Sequence, residues 1–382
     1  MPLPVAIALS NSGRPDQQLV KTLQQHRGAI QALRFVDSGS GLVSAGRDNV
    51  LRLWAVESGL IQRHLGHRDD IYSISLGPVP GQWISASADG SVRVWTDQGE
   101  IAGFRGEKDA VYQARVSPDG RYIVSGGYDN ETDGGLVELW DAQGQKIRSL
   151  GTYGEWVISV AFGPDSQTVA AAAEDGTVYL LDLEGNVQHT LTHGDQIFSL
   201  VFSPDGQQLA VAGEGGVKIW ETASYKTVEE IRYPASVYQV DYSPAGDRLA
   251  FAAGDGAVGL WGLDTGELTT LEGHTGEVYA VEFSPDGEVL ASAGADKTIR
   301  LWQRSGDAIA SWSGHGAAVL DVKFLDEGRS LVSASYDDTL ITWDLSILDL
   351  DRAMAAGCDW LQGYIATNPE SDFAQQGTCK GQ

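Results

Sequence analysis

Cysteine is nearly absent from this chain: Cys358 and Cys379 are its only two, both close to the C-terminal end, so no disulfide framework can organise the rest. Basic residues are scarce as well. Lys and Arg number 26 against 52 Asp and Glu, a net charge of −26. A surface of that sign repels phosphate backbones and anionic bilayers, and no Lys/Arg run relieves it locally. Nucleic acid is therefore not an expected partner, and the acidity itself serves solubility. Long apolar runs are missing too. No stretch approaches the ~20 residues that a membrane-spanning helix needs. The opening MPLPVAIALSNSG lacks the basic n-region and the cleavage site of a signal peptide. A cytoplasmic protein without membrane insertion, monomeric on its own, is the expectation. The chain has no G-x-x-x-x-G-K-[ST], no strand-G-x-G-x-x-G-helix and no C-x-x-C, so nucleotide, dinucleotide and structural zinc sites find no support. No cofactor and no metal are expected.

What the chain has is a repeat. Trp54, Trp95, Trp140, Leu181, Trp220, Trp261, Trp302 and Trp343 close successive segments, with steps of 41, 45, 41, 39, 41, 41 and 41 residues. A period in that range, with four short strands per unit, signals a β-propeller. The segment 268–302 shows the pattern: an apolar edge, Gly-His, a strand EVYAVEF alternating with period two, the turn SPDG, a strand VLASAG, the turn ADKT, and IRLW. In SPDG, Pro presets φ, Asp bonds back to the local backbone and Gly accepts a positive φ. SPDG recurs at Ser117–Gly120 and Ser203–Gly206, with variants at Gly163–Ser166 and Ser243–Gly246. Strands this short, joined by hairpins at even spacing, exclude a parallel α/β sheet.

Over roughly residues 19–344 these motifs resemble the WD-repeat family, whose blades have four strands and whose His, Ser or Thr, Asp and Trp form a buried hydrogen-bonded chain. The resemblance implies four such structural tetrads here: His26–Ser44–Asp48–Trp54, His67–Ser85–Asp89–Trp95, His274–Ser292–Asp296–Trp302 and His315–Ser333–Asp337–Trp343. In all four, Ser precedes Asp by four residues and Asp precedes Trp by six. The chemistry is coherent by itself, because a buried indole, imidazole and carboxylate can satisfy one another. A nucleophilic Ser-His-Asp reading fails, since four copies would mean four active sites. The expected catalytic set is accordingly empty.

The middle of the chain departs from the pattern. Repeat three has Glu107 in place of His and five extra residues before Trp140. Repeat four has Tyr153, Ala171 and Leu181, repeat five Ala210 and Glu214, and repeat six Tyr233 and Phe251. Those units must rely on apolar packing and should open first. Eight repeats imply an all-β, eight-bladed propeller over residues 19–347; the alternative is seven blades with one irregular repeat outside the ring. By resemblance, the ring is closed by an N-terminal strand, Leu19–Leu23, completing the last blade. Residues 1–18 form an N-terminal extension.

The family places partners most often on the face made by the His- and Asp-bearing loops. Five residues after the His position this chain carries Gln31, Tyr72, Tyr112, Ile158, Phe198, Tyr238, Tyr279 and Leu320. Three residues after it come Asp70, Trp156 and Glu277. The slot before Asp adds Arg47, Tyr128, Glu174 and Tyr336. Aromatic rings among scattered charges suit a protein or peptide hot spot. The partner-binding candidates are thus Arg47, Asp70, Tyr72, Tyr112, Tyr128, Trp156, Phe198, Tyr238, Glu277, Tyr279 and Tyr336. The bland alternative is that these side chains only pack the central channel.

Two other segments stand out. Asp129–Gly135 has alternating acids, as a calcium loop would, but position twelve is Trp140 and not Glu, so a surface hairpin is expected. Leu350, Met354, Cys358, Leu361 and Ile365 share one helical face, ended by Asn368-Pro369, so residues 348–382 should form a C-terminal helix and a polar tail. The segment Gly357–Pro369 with its later Cys resembles the ends of cyanobacterial WD-repeat proteins. The leading functional expectation is a non-catalytic scaffold for protein or peptide partners. The rival is a propeller enzyme, or a small-ligand or metal-binding protein, working in the central channel.

Overall fold

Hairpins build the described chain. The computed structural model describes residues 19–345, apart from 25, 37–40, 56–58, 80–81, 97–98, 107–108, 326–327 and 338. The N-terminal extension, Glu107, the C-terminal helix and both cysteines therefore lie outside the described residues. Among the described residues the chain forms 32 strands arranged in eight four-stranded antiparallel sheets and no α-helix. Sheet one spans residues 30–65, sheet two 71–105, sheet three 110–153, sheet four 157–192, sheet five 197–232, sheet six 237–271 and sheet seven 278–313. Sheet eight comprises Val319–Leu325, Ser330–Ser335 and Thr339–Asp344, with Leu19–Gln24 paired to Thr339–Asp344 as its fourth strand.

The first strand of each sheet packs beside the first strand of the next, and that of sheet eight returns to sheet one. These strands surround a central cavity of about 660 Å³. The arrangement is a β-propeller. Position within a sheet explains composition. Second strands such as Trp83–Ser87 and Val169–Ala173 are buried throughout, pressed between neighbouring sheets, and hence nearly all apolar or small. Fourth strands such as Val187–Thr192 lie at the rim, where only Leu191 is buried. The cores lie between adjacent sheets; Ile30, Leu33, Leu42 and Trp54 of sheet one, for example, join Val332 and Ala334 of sheet eight.

The turns follow their chemistry. In Ser117–Gly120, Gly120 N–H bonds Ser117 O at 2.8 Å, the Ser117 hydroxyl donates to Asp119 at 2.6 Å, and Gly120 takes φ +72°. One irregularity recurs in all eight first strands. Pairing to the second strand skips Gln31, Tyr72, Tyr112, Ile158, Phe198, Tyr238, Tyr279 and Leu320 in turn. Each skip is a β-bulge, which frees one residue from the sheet's alternation and re-aims its side chain.

Candidate functional site

The Ser of each tetrad sits on a second strand and the Trp on the third, diagonally across the hairpin (Trp54 faces Leu42, two residues before Ser44), while His and Asp come from the two loops above them. Trp54, Trp95, Trp302 and Trp343 donate their indole N–H to Ser44, Ser85, Ser292 and Ser333 at 2.8–2.9 Å. Those Ser hydroxyls lie 2.7–2.8 Å from Nε2 of His26, His67, His274 and His315. Nδ1 of each ring then meets Asp48 (2.8 Å), Asp89 (3.2 Å), Asp296 (3.0 Å) or Asp337 (3.2 Å). An indole only donates and a carboxylate only accepts, so at His67, His274 and His315 every partner is satisfied when Ser donates to a neutral Nε2 and Nδ1–H donates to Asp. At His26 the Arg52 guanidinium crowds Nδ1 at 2.6 Å and pairs with Asp48 at 2.8 Å. Burial lowers the pKa of His67 and His274, against the raising pull of their Asp partners. Burial opposes the Asp48 charge, but the His26 bond and charge, the Arg27 N–H and Arg52 outweigh it and bring the carboxyl down to about 2.

The irregular sheets solve the same space differently. Trp140 still donates to Ser125 at 2.9 Å, while Asp129 caps the inserted hairpin through Thr132 and the Glu131 N–H. Between sheets three and four, Tyr153, which stands at the His position of repeat four, packs on Tyr179 with ring centroids 4.1 Å apart. In sheet six, Phe251 fills the Ser slot and lies over Gly259, where any Cβ would collide with its ring. Among the described residues no group of three or more His, Cys, Asp or Glu could hold a metal.

The bulged aromatics gather at the channel mouth on the side of the His and Asp loops. Tyr72 and Tyr112 lie 5.4 Å apart; Tyr112 stacks on Trp156 at 5.7 Å, and Tyr128 reaches Trp156 at 5.5 Å. A second run joins Phe198, Tyr238 and Tyr279 at 5.4 and 5.7 Å. Glu277 links its end, accepting from the Tyr238 hydroxyl at 2.8 Å and the Tyr279 hydroxyl at 2.6 Å. The bond to Glu277, with burial, pushes the Tyr279 hydroxyl up to about 12, so it stays a donor. Arg47 connects the remaining candidates, 3.4 Å from Asp70 and 5.8 Å from the centre of the Tyr336 ring. Trp156 and Tyr336 are the exposed aromatics, at 42% and 43%, and Arg47 is exposed beside them.

The sequence reading missed a second ring. Three residues beyond each bulge, the same strands present Arg34, Ser75, Arg115, Val201, Asp241, Glu282 and Lys323 deeper in the channel, with Ala161 at the eighth equivalent position. Side chains of these strands also staple neighbouring sheets. Gln113 accepts from Val160 N–H at 2.8 Å, Gln239 from Val281 N–H at 2.9 Å and Asp241 from Phe283 N–H at 2.9 Å. The constant offset from the bulged slot was the signal that could have revealed them.

With this geometry in hand, comparison with known proteins is direct. Seven segments match the WD domain, G-beta repeat: residues 17–55, 59–96, 99–141, 144–182, 185–221, 266–303 and 306–344. Nuclear distribution protein nudF of Emericella nidulans is 24% identical over 204 residues, covering 46% of this chain and 45% of nudF. Cilia- and flagella-associated protein 52 of Chlamydomonas reinhardtii is 27% identical over 176 residues, covering 45% of this chain and 28% of that protein. The chain thus spans less than half the length of these relatives. Among solved structures, the computationally designed Ika8 protein covers 86% of this chain and 99% of its own, with 26% identity and a TM-score of 0.73. Chaetomium thermophilum Sqt1 bound to the N-terminus of ribosomal protein L10 covers 86% and 100%, with 20% identity and a TM-score of 0.76. At that identity the likeness to Sqt1 speaks for the fold alone.

The comparisons stop short of two expectations. The family's sequence model counts seven repeats where the tryptophan period counts eight, and the interval it passes over, 222–265, carries Tyr233 and Phe251 in place of the His and Ser. The relatives named above are fungal and algal, so the cyanobacterial resemblance of the C-terminal segment gains nothing from them. The seven matched segments cover well over half of the sequence, and on that ground the chain belongs to the WD-repeat family.

Proposed function

We propose that this protein is a non-catalytic scaffold that docks a segment of a partner protein across the aromatic belt at the channel mouth. The observation that carries the reading is the contiguity of Tyr72, Tyr112, Trp156 and Tyr128, whose rings touch in series with the Trp156 indole exposed. Rings already in contact lose little side-chain freedom on binding, and an exposed Trp beside Tyr hydroxyls offers apolar area with polar tips. Arg47, Asp70 and Glu277 supply charge at the rim, which favours register and association rate. The bond network of the tetrads leaves the histidines engaged in holding the blades. That a protein of the same fold was solved with a peptide segment of a ribosomal protein supports the class of partner, though not its identity. In this reading all eight sheets serve as blades, sheet six included, because its strands pair and pack in the ring as the others do.

The test is affinity purification from the native cell with the full chain as bait, followed by mass spectrometry. Trp156→Ala with Tyr336→Ala, at exposed sites, and separately Tyr72, Tyr238 and Tyr279 together to Ala, should lose specific partners while circular dichroism stays native. Retention of every native partner by both folded variants would sink the proposal.

A further inference from the structure

Five of the eight second-ring residues are ionisable, and they do not sort into pairs. Lys323 takes the nearby acids: Glu282 is bonded to its ammonium group and Asp321 lies 3.2 Å from it. Glu282 also accepts from Phe324 N–H at 3.3 Å, and Asp241 is held by Phe283 N–H. Arg34 and Arg115 are left over. Arg115 donates to the Ala114 carbonyl at 3.2 Å, and Arg34 makes no hydrogen bond and no ion pair among the described residues. Both are enclosed by the channel wall. Burial lowers the pKa of each; Glu282 and Asp321 pull that of Arg34 back up, and for Arg115 burial and then the Arg34 charge bring it down to about 10 against the pull of Asp321. Two like charges are therefore held near one another with no carboxylate in ion-pair contact among the described residues, since Glu282 and Asp321, which attract them from farther off, are engaged by Lys323.

Their position is a junction. Arg34, Ser75 and Arg115 line both the central cavity and a second one of about 380 Å³, which is otherwise walled by Gly77, Pro78 and the turn Ser117–Gly120. That turn lies at the end of the strand opposite the aromatic belt. Asp119 lines the second cavity, but its carboxylate is already occupied by Ser117 and Arg121. We propose that Arg34 and Arg115 form a site for a small phosphate-type oxyanion in the lower throat of the channel. Each guanidinium presents a planar fork of donors, and the two approach from sheets one and three. A tetrahedral oxyanion has separate edges for both forks and enough charge to compensate both arginines, whereas one planar carboxylate fits a single fork.

The probe is inorganic phosphate, titrated calorimetrically into the full chain at neutral pH and constant ionic strength, with acetate and sodium chloride as controls. One saturable site is expected, with a melting midpoint that climbs with phosphate concentration. Arg34→Gln and Arg115→Gln should each weaken uptake roughly tenfold or more, since each removes a charge-assisted pair. Trp156→Ala should leave uptake unchanged, which separates this site from partner docking. If a Gln variant does not fold, Arg34→Lys and Arg115→Lys serve instead, and each should weaken uptake several-fold by losing the fork. The proposal is overturned if phosphate gives no saturable heat beyond the chloride control, if acetate binds equally well, or if uptake is unchanged in the folded arginine variants.

Discussion

Replacing Asp296 with alanine isolates what one tetrad contributes. The carboxylate accepts from His274 Nδ1 at 3.0 Å, Thr275 N–H at 3.0 Å, Thr298 N–H at 3.0 Å and the Thr298 hydroxyl at 2.7 Å. The Thr donors lie toward the surface, where water can replace the carboxylate. Losing those three contacts should cost about 0.5 kcal/mol each, the low end for a net hydrogen bond. The His274 side chain is 0% exposed, so water cannot reach its Nδ1–H, and the Thr298 hydroxyl at 3.3 Å is a poor substitute. An orphaned buried donor costs about 1–3 kcal/mol. The sum is roughly 3 kcal/mol, or about 4 °C in melting midpoint for a chain of this size. Asp296→Asn keeps one acceptor for the ring and should cost about half as much. Urea denaturation followed by tryptophan fluorescence, with calorimetry, reads both numbers. The control is Asp264→Ala, at an exposed turn position, expected within about 0.5 kcal/mol of the parent. If Asp296→Ala melts where Asp264→Ala does, the tetrads do not hold the blades.

Acid should weaken the fold in two windows. The depressed His67 and His274 contribute stability that is full above their unfolded value of about 6.5 and fades as pH falls through the folded values. Asp48, near 2 when folded, adds a loss that begins below about 4; denaturation midpoints flat from pH 7 to 3 would contradict both. Asp241 has the opposite sign, because burial and the Glu282 charge push it up to about 7. Its penalty is absent below about 4 and grows as pH rises through 7, so Asp241→Asn should gain about 1–2 kcal/mol at pH 8 after allowing for channel water, and nothing near pH 4. A variant no more stable than the parent at pH 8 refutes that assignment. Gly259→Ala should cost about 1–3 kcal/mol by driving a methyl into Phe251, and much of that cost should vanish in a Phe251→Ala background, as a double-mutant cycle would show. Hydrogen exchange should be faster in sheets four to six, which lack the tetrads, than in sheets one, two, seven and eight; the reverse order would refute the link between tetrad and rigidity.

Much of this was legible in the sequence because the repeat is a period of strands and turns, and periodicity survives without coordinates. The Ser-Asp-Trp spacing located the hydrogen-bonded groups, and the slot five residues past His named the mouth aromatics. What alternation could not yield was why that slot faces the channel, since adjacent strand residues should point to opposite sides. The answer is the bulge, a pairing defect with no residue signature: Gln31, Ile158 and Tyr279 occupy it equally. The charged second ring was hidden for the same reason, its face being fixed only once the bulge is known. The exchange of volume between Phe251 and Gly259 is invisible along the chain because the two meet only across a hairpin. Sheet four makes the converse exchange, setting Tyr179 opposite Ala171.

Sheet eight is assembled from opposite ends of the described sequence, with Leu19 facing Trp343 and Gln24 facing Thr339. An early ribbon must wait, unpaired, until the last hairpin of the ring has been synthesised, so circular completion is deferred until residues 339–344 have emerged. Nascent intermediates would carry an open zipper on one flank, and such flanks recruit stray strands. The late clasp thus leaves one edge of the final sheet open for as long as the ring is being built.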